Sequence, residues 1–288
     1  MKVINLPDDI FPGNKMLMDP ILIHHYSATV GSMNGRSVLN KNAISLVLKG
    51  EKTMHFSQKV VKIKDDEFHF LSAGNCLASI DLSGQDVFTS ILIFFDTKVL
   101  ADFHVKYNEQ ISRIRKRIKI VQESYISFKK DSFVLNLITS LQLSTEGGKQ
   151  MSLQMRLLKF EELMLHLLEK YPETILSFQI PEKDGNDDLT LRKVVETNVL
   201  NPISIEELAF LCNLSLSTFK RRFIKLYGTT PSKWLVGRRM EFAANLLQHH
   251  HAKPSEVFFK VGYENHSSFT HSFKQSFGLT PKEFQAKN

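Results

Sequence analysis

Along the 288-residue chain the spacing of hydrophobic and polar positions changes character twice. From about Ile21 to Asp96, short apolar runs recur between turn residues. Ala43 to Leu48 ends at Lys49-Gly50, and Val60-Val61-Lys62-Ile63-Lys64 partly alternates and stops at Asp65-Asp66. Phe68-His69-Phe70-Leu71 stops at Ser72-Ala73-Gly74, and runs from Leu77 to Leu82 and from Phe88 to Phe95 follow. Short strands at regular spacing predict a sandwich or small barrel over about 21–100. From about Asp102 to Tyr171 the pattern turns helical. Leu153, Leu157, Phe160, Met164 and Leu167 step by 4, 3, 4, 3, a coiled-coil-like seam. Two partners fit that seam equally: a second copy of the chain, or the chain's own barrel. Pro172 through Asp188 is polar and rich in breakers, which predicts a linker over 173–188 between a domain at 1–172 and one at 189–288.

The last part contains one pattern twice. Ser217-Thr218-Phe219-Lys220-Arg221-Arg222-Phe223 leads to Tyr227-Gly228-Thr229-Thr230-Pro231 and Trp234. Ser267-Ser268-Phe269-Thr270-His271-Ser272-Phe273 leads to Phe277-Gly278-Leu279-Thr280-Pro281 and Phe284, at a constant offset of 50. A repeat of this length is one supersecondary unit used twice. Each copy predicts helix, turn, helix. In the first, Ser204 and Glu207 form a capping box, and Leu208, Ala209 and Leu211 give a buried stripe. Ser215 caps the second helix, and Phe219, Phe223 and Leu226 keep helical spacing. Gly228 stops it, and Thr230-Pro231 begins the next. In the second copy Val257 and Phe258 lie on a short helix, Gly262-Tyr263 turns, and Phe269, Phe273 and Phe277 follow. Its front helix is offset by 49, Leu208 to Val257, so its turn holds one extra residue. This is helix-turn-helix grammar, in which the second helix can lie in a DNA major groove.

Charge strengthens that reading. Residues 189–288 hold fourteen Lys/Arg and seven Asp/Glu, whereas the first 188 hold twenty-three of each. The whole net charge of +7 therefore sits with the repeat. A basic domain attracts a polyanion by releasing its counterions.

The segment resembles the DNA-binding domain of the AraC/XylS family of bacterial transcription regulators. The residues carrying the resemblance are Ile205-Glu206-Glu207-Leu208-Ala209, the Phe219/Phe223 helix with Gly228 and Pro231, and the joining helix with Arg238-Arg239, Ala243 and Leu246-Leu247. Val261-Gly262-Tyr263, Ser268-Phe269, Phe273-Lys274, Phe277-Gly278, Thr280-Pro281 and Phe284 complete it. The resemblance implies one long helix, about Pro231 to His249, joining two motifs whose recognition helices enter successive major grooves. It also implies a cupin-like N-terminal barrel and a dimer interface on a helix such as the one carrying Leu153 to Leu167. The implied partners are double-stranded DNA, RNA polymerase, a second copy of the chain, and an effector, small molecule or protein, that the residues do not name. Two residues depart from the family pattern. His271 stands where the family carries Arg, and Phe258 stands where a small residue is usual at the helix crossing.

With Phe219 and Phe223 buried, Ser217, Thr218, Lys220 and Arg221 point outward near the helix N-terminus, the end that supplies base contacts. The planar fork of Arg221 can bind guanine O6 and N7 together. Lys225, a turn later, suits phosphate. The second helix offers His266, Ser267, Ser268, Thr270 and His271. Neutral His is a single-point donor or acceptor, so the second motif is expected to read sequence more weakly.

The N-terminal half carries no catalytic signature. His55 and His69 stand on separate candidate strands, and His24-His25 would point to opposite faces of one. No metal-ligand spacing, nucleophile motif or phosphate-cradling loop occurs. Cys76 and Cys212 read as reduced core residues. The basic run Arg113 to Lys119 reads as a solvated helix face, and His249-His250-His251 as a helix end. The N-terminus lacks a signal-peptide core, and no apolar run reaches the roughly 20 residues that span a bilayer. The expectation is a cytoplasmic α+β regulator of transcription, an activator without cofactor, metal or enzymatic activity. The alternatives are a metal-dependent cupin-type enzyme fused to a DNA-binding module, and a regulator whose input is a protein partner.

Overall fold

The computed structural model describes residues 3–12, 15–57, 59–82, 87–117, 121, 123–145, 151–178, 187–249 and 252–287. The chain divides into two units, one of residues 1–55 and 61–183, the other of 184–288 with the short segment 56–60.

The first unit is built on two five-stranded sheets. Its strands are β1 (Ile4–Leu6), β2 (Ile21–Ala28), β3 (Ser32–Leu39), β4 (Asn42–Lys49), β5 (Glu51–His55), β6 (Val60–Ile63), β7 (Glu67–Leu71), β8 (Gly74–Asp81), β9 (Phe88–Phe95) and β10 (Tyr125–Lys129). One sheet runs β1-β3-β8-β5-β6 and the other β10-β7-β4-β9-β2. The expected closed barrel is therefore corrected to two open sheets. A barrel needs its terminal strands to pair with each other, and here each sheet keeps two edges. β10 is a second correction. It lies inside the stretch read as helical, yet its alternating Ile126 and Phe128 are buried, and it pairs antiparallel with β7, Phe128 opposite Phe68.

The second sheet has two different faces. Ile44, Leu46, Phe68, Phe70, Ile91, Ile93, Phe95, Ile126 and Phe128 share one core with helices. These are α1 (Thr97–Lys106), α2 (Asn108–Arg115), α3 (Ser132–Thr145), α4 (Leu153–Lys170) and α5 (Pro172–Ser177). The registers Ser45–His69, Ser45–Leu92 and Val47–Ser90 put Ser45, His69 and Ser90 on the opposite face. All three are buried. His69 Nδ1 lies 2.6 Å from the Tyr125 hydroxyl, and burial with the nearby Lys52 ammonium pushes the imidazole down to about 3. Lys52 itself is buried, 5.2 Å from the centre of the Phe88 ring, and desolvation pushes its ammonium down to about 8.

The α4 seam meets this core. Phe160, Met164 and Leu167 are at most 2% exposed, with Leu153 and Leu157 packed partly buried beside them. Phe160 lies 5.0 Å from Phe95 on the sheet. Of the residues read for dimerisation, Phe160, Met164 and Leu167 pack into the chain's own core, and Leu153 and Leu157 lie partly buried at its margin. A 4, 3, 4, 3 spacing specifies an apolar face but not what covers it. The first residues of the expected linker are helical. Pro172 serves as the first residue of α5, where no N–H is needed, and Ile175, Leu176 and Phe178 enter the core.

The second unit is helical: α6 (Asp187–Asn198), α7 (Ile205–Leu211), α8 (Leu216–Tyr227), α9 (Pro231–His249), α10 (Pro254–Lys260), α11 (His266–Phe277) and α12 (Pro281–Lys287). Among the described residues no helix is long and apolar enough to cross a membrane. His250 and His251 lie outside the described residues.

Candidate nucleic-acid interface

Each recognition helix is fixed by caps at its start, a left-handed residue at its end and an aromatic cluster beneath. Ser215 Oγ accepts from Thr218 N at 3.3 Å to cap α8, and Asn265 Oδ1 accepts from Ser268 N at 2.8 Å to cap α11. Gly228 and Gly278 end the two helices at φ of 68° and 74°, where a side chain would be strained. Ser204 and Glu207 form the predicted box at α7. Thr280 and Glu283 form another at α12: Thr280 N donates to Glu283 Oε2 at 2.8 Å, and Glu283 N donates to Thr280 Oγ1 at 3.3 Å.

The repeat persists in the packing. Phe219 and Phe223 have ring centres 5.8 Å apart, as have Phe269 and Phe273, and all four rings are fully buried. Phe223 meets Trp234 edge-on at 5.8 Å, and Phe273 meets Phe284 edge-on at 5.3 Å. Tyr227 and Phe277 lie 4.4 and 4.7 Å from Phe223 and Phe273. The turns also correspond. Asn213 (φ 54°) and Gly262 (φ 77°) take left-handed backbone at the 49-residue offset. The extra residue of the second motif therefore falls between its turn and α11. Phe258 is accommodated at the edge of the second cluster, 5.8 Å from the His266 ring.

With the aromatic side of each helix buried, the other side is presented to solvent. Ser217, Lys220, Arg221 and Lys225 are exposed on α8, and His266, Ser267, Ser268 and His271 on α11; Thr218 and Thr270 are half-buried. Among the described residues no ion pair engages Lys220, Arg221 or Lys225. Thr218 Oγ1 accepts from Ser215 Oγ at 2.9 Å, and Thr270 Oγ1 donates to His266 O at 2.9 Å. Both hydroxyls are thus partly committed within their own helices. Sequence reasoning missed Lys274, exposed in the last turn of α11. The signal was available, because the 50-residue offset pairs it with Ile224, so the basic face of α11 lies one turn later than that of α8.

Two family models match the chain: an ExsA N-terminal regulatory domain over residues 42–178, and a helix-turn-helix domain over 208–287. The virulence regulon transcriptional activator VirF of Yersinia enterocolitica is 22% identical over 244 residues, covering 85% of this chain and 89% of that protein. The regulator ExsA of Pseudomonas aeruginosa is 29% identical over 139 residues, covering 46% of this chain and 50% of that one. The chain belongs to the AraC/XylS family of transcription regulators. Like these AraC-type relatives it is a transcription activator with an N-terminal regulatory domain. The solved structure of ToxT from Vibrio cholerae is similar over 93% of this chain and 98% of its own, at 10% identity and a TM-score of 0.39. Read as an AraC-type DNA-binding domain, the helical unit has one departure at its exposed surface: His271 where α8 has Arg221.

Proposed function

We propose that α8 and α11 enter successive major grooves on one face of a duplex and activate transcription from there. The observation that carries the proposal is the exposed N-terminal face of α8. Lys220 and Arg221 stand out from a rigid aromatic base and have no acidic partner among the described residues. Arg221 reads a guanine, Ser217, Thr218 and Lys220 add neighbouring contacts, and Lys225 meets phosphate. His266, Ser267, Ser268, Thr270 and His271 read the second site more weakly. α9, nineteen residues long, extends about 28 Å at 1.5 Å per residue. That is close to the roughly 34 Å that separates sites one duplex turn apart.

In this reading residues 189–288 read DNA in the cytoplasm, and RNA polymerase is the second macromolecular partner. The regulatory part is the first unit, with α5 at 172–177 packed into its core. A homodimer, if formed, uses a surface other than the buried side of α4; Met155 and Leu158 are exposed on its outer side. Among the described residues no three His, Cys, Asp or Glu side chains come together to hold a metal.

The test is selection of an operator from random DNA by the full chain, followed by titration at several salt concentrations. A bound site of two half-sites about one turn apart, with affinity falling steeply with salt, is expected. A single short site, read by one helix, would overturn the two-groove reading.

A further inference from the structure

Arg239 lies on α9, beside Met240 of the second motif's core. Its guanidinium is half-buried and reaches three backbone carbonyls and, among the described residues, no carboxylate. Nε donates to Val199 O at 2.7 Å, Nη2 to Asn201 O at 2.6 Å, and Nη1 to Gly262 O at 3.4 Å. Val199 and Asn201 belong to the loop between α6 and α7, which leads into the first motif. Gly262 is the left-handed residue in the turn of the second. The two segments are also in direct contact. A Cβ on Gly262 would stand 2.6 Å from Leu200 O and 3.1 Å from Asn201 O.

The loop that receives these bonds is itself held. Asn201 Nδ2 donates to Asn198 Oδ1 at 3.2 Å, and Ile203 N donates to Asn201 O at 2.8 Å. A fixed loop, a joining helix and the second turn therefore meet at one guanidinium. The core beneath α11 is separate. Met240, Ala243, Leu247, Val257, Val261, Phe269 and Phe273 pack together without Arg239. Loss of the guanidinium leaves that core intact and removes a tie between the two motifs.

We propose that Arg239 and Gly262 are spacing-determining residues: they clasp the second motif to the first, so that the two recognition helices accept one separation of half-sites. The proposal rests on both helices reading DNA. One added base pair moves the second half-site by about 3.4 Å and turns it by roughly 35° about the duplex axis. A clasped pair of helices cannot follow that rotation. A pair joined by α9 packing alone can tilt part of the way. A fork of five donors suits three divergent carbonyls, and a lysine ammonium reaches them singly.

The experiment uses the full chain and a family of operators whose half-sites are separated by the best spacing or by one or two base pairs more or less. The wild-type chain is expected to bind the best spacing roughly tenfold or more above its neighbours, as linked sites do when geometry limits their joint engagement. Arg239→Met is expected to bind operators with either half-site scrambled within about threefold of wild type. It should lose most of the preference for one spacing, with a ratio near two between adjacent spacings. Arg239→Lys should resemble Arg239→Met, and circular dichroism should show both variants folded. Gly262→Ala, if it folds, should shift the best spacing or flatten the profile. Uniform weakening by Arg239→Met at every spacing with an unchanged profile, or no change at all, overturns the proposal. A second half-site that can be scrambled in wild type without loss defeats the two-groove reading itself, and the clasp proposal falls with it. That result is distinguishable because it appears before any variant is made.

Discussion

The sheet-bearing unit keeps Ser37, Asn42, Ser45, Lys52, His55, His69, Ser90 and Arg156 buried, whereas in the helical unit Asn198 alone among the described polar residues is buried. The helical unit sends its Arg, Lys and Ser side chains out over an interior of phenylalanines. Arg222 and Arg239 are partly buried, and Arg239 is spent on carbonyl groups. The difference marks two ways of specifying a fold. The helical unit uses one short recipe twice, and its surface is left for a ligand. The sheet unit holds charged and hydroxyl groups inside, where each costs several kcal/mol if left without a partner, so its stability is tied to solution conditions.

The largest effect expected is on the sheet unit. Met164 is 1% exposed in its core, so replacing Leu157 and Met164 together with Glu should cost at least several kcal/mol and unfold that unit. Near-ultraviolet circular dichroism would lose its fixed aromatic signal. A folded monomer from this variant would restore α4 as an interface and weaken the contrast between the units.

The next effect is acid lability. The His69 imidazole is held down to about 3, against about 6.5 in the unfolded chain. Between those values the unfolded state binds the extra proton, so stability is complete above pH 6.5 and is lost as pH falls towards 3, by up to about 4 kcal/mol. Urea melts of the full chain, followed by separate probes for each unit, should show the sheet unit failing first in acid. Simultaneous failure would mean that the buried imidazole does not set the limit. Lys52 works in the same direction higher on the scale. Its ammonium is pushed down to about 8 from 10.5, so the stability of the sheet unit should rise as pH climbs from 8 to 10.5. Lys52→Met should stabilise it at pH 7 by up to about 3 kcal/mol. Destabilisation by that substitution at pH 7 would show that the ammonium has a partner that matters.

The smallest effects concern DNA. Arg221→Ala should remove about 1–3 kcal/mol of binding and relax preference at one base position. His271→Ala should cost less, and His271→Arg should raise affinity at the second half-site. Titrations with each half-site scrambled would decide this. Equal losses at the two positions would erase the asymmetry between the motifs.

Legibility followed the same division. The helical unit could be read because its determinants are local: the boxes at Ser204 and Glu207, the stops at Gly228 and Gly278, and the aromatic spacing all fall within a few turns of one another. The outward faces of α8 and α11 followed from that spacing. Lys274 stands opposite the apolar Ile224 in the repeat, and the Asn265 cap stands opposite Ser215, so neither repeats the identity of its counterpart. The clasp at Arg239 was illegible, since only the folded chain brings the carbonyls of Val199 and Asn201 to Gly262. In the sheet unit most strands were visible as apolar runs, but sheet membership depends on non-local pairing. Nothing local distinguishes a seam that meets a second molecule from one that meets β2 and β9, and nothing in Tyr125-Ile126-Ser127-Phe128-Lys129 announces a partner over fifty residues upstream.

That late strand has a consequence during synthesis. β10 covers the outer side of β7, from Tyr125 opposite Leu71 to Lys129 opposite Glu67. Until residue 129 has left the ribosome, the growing sheet ends in an open row of amide and carbonyl groups along a strand of Phe68, Phe70 and Leu71. Such an edge is a template for strands from other nascent chains. A polypeptide released before Tyr125 would thus be the aggregation-prone species of this protein. Extension past Lys129 covers the β7 edge with the more polar β10, without any help from the DNA-binding part.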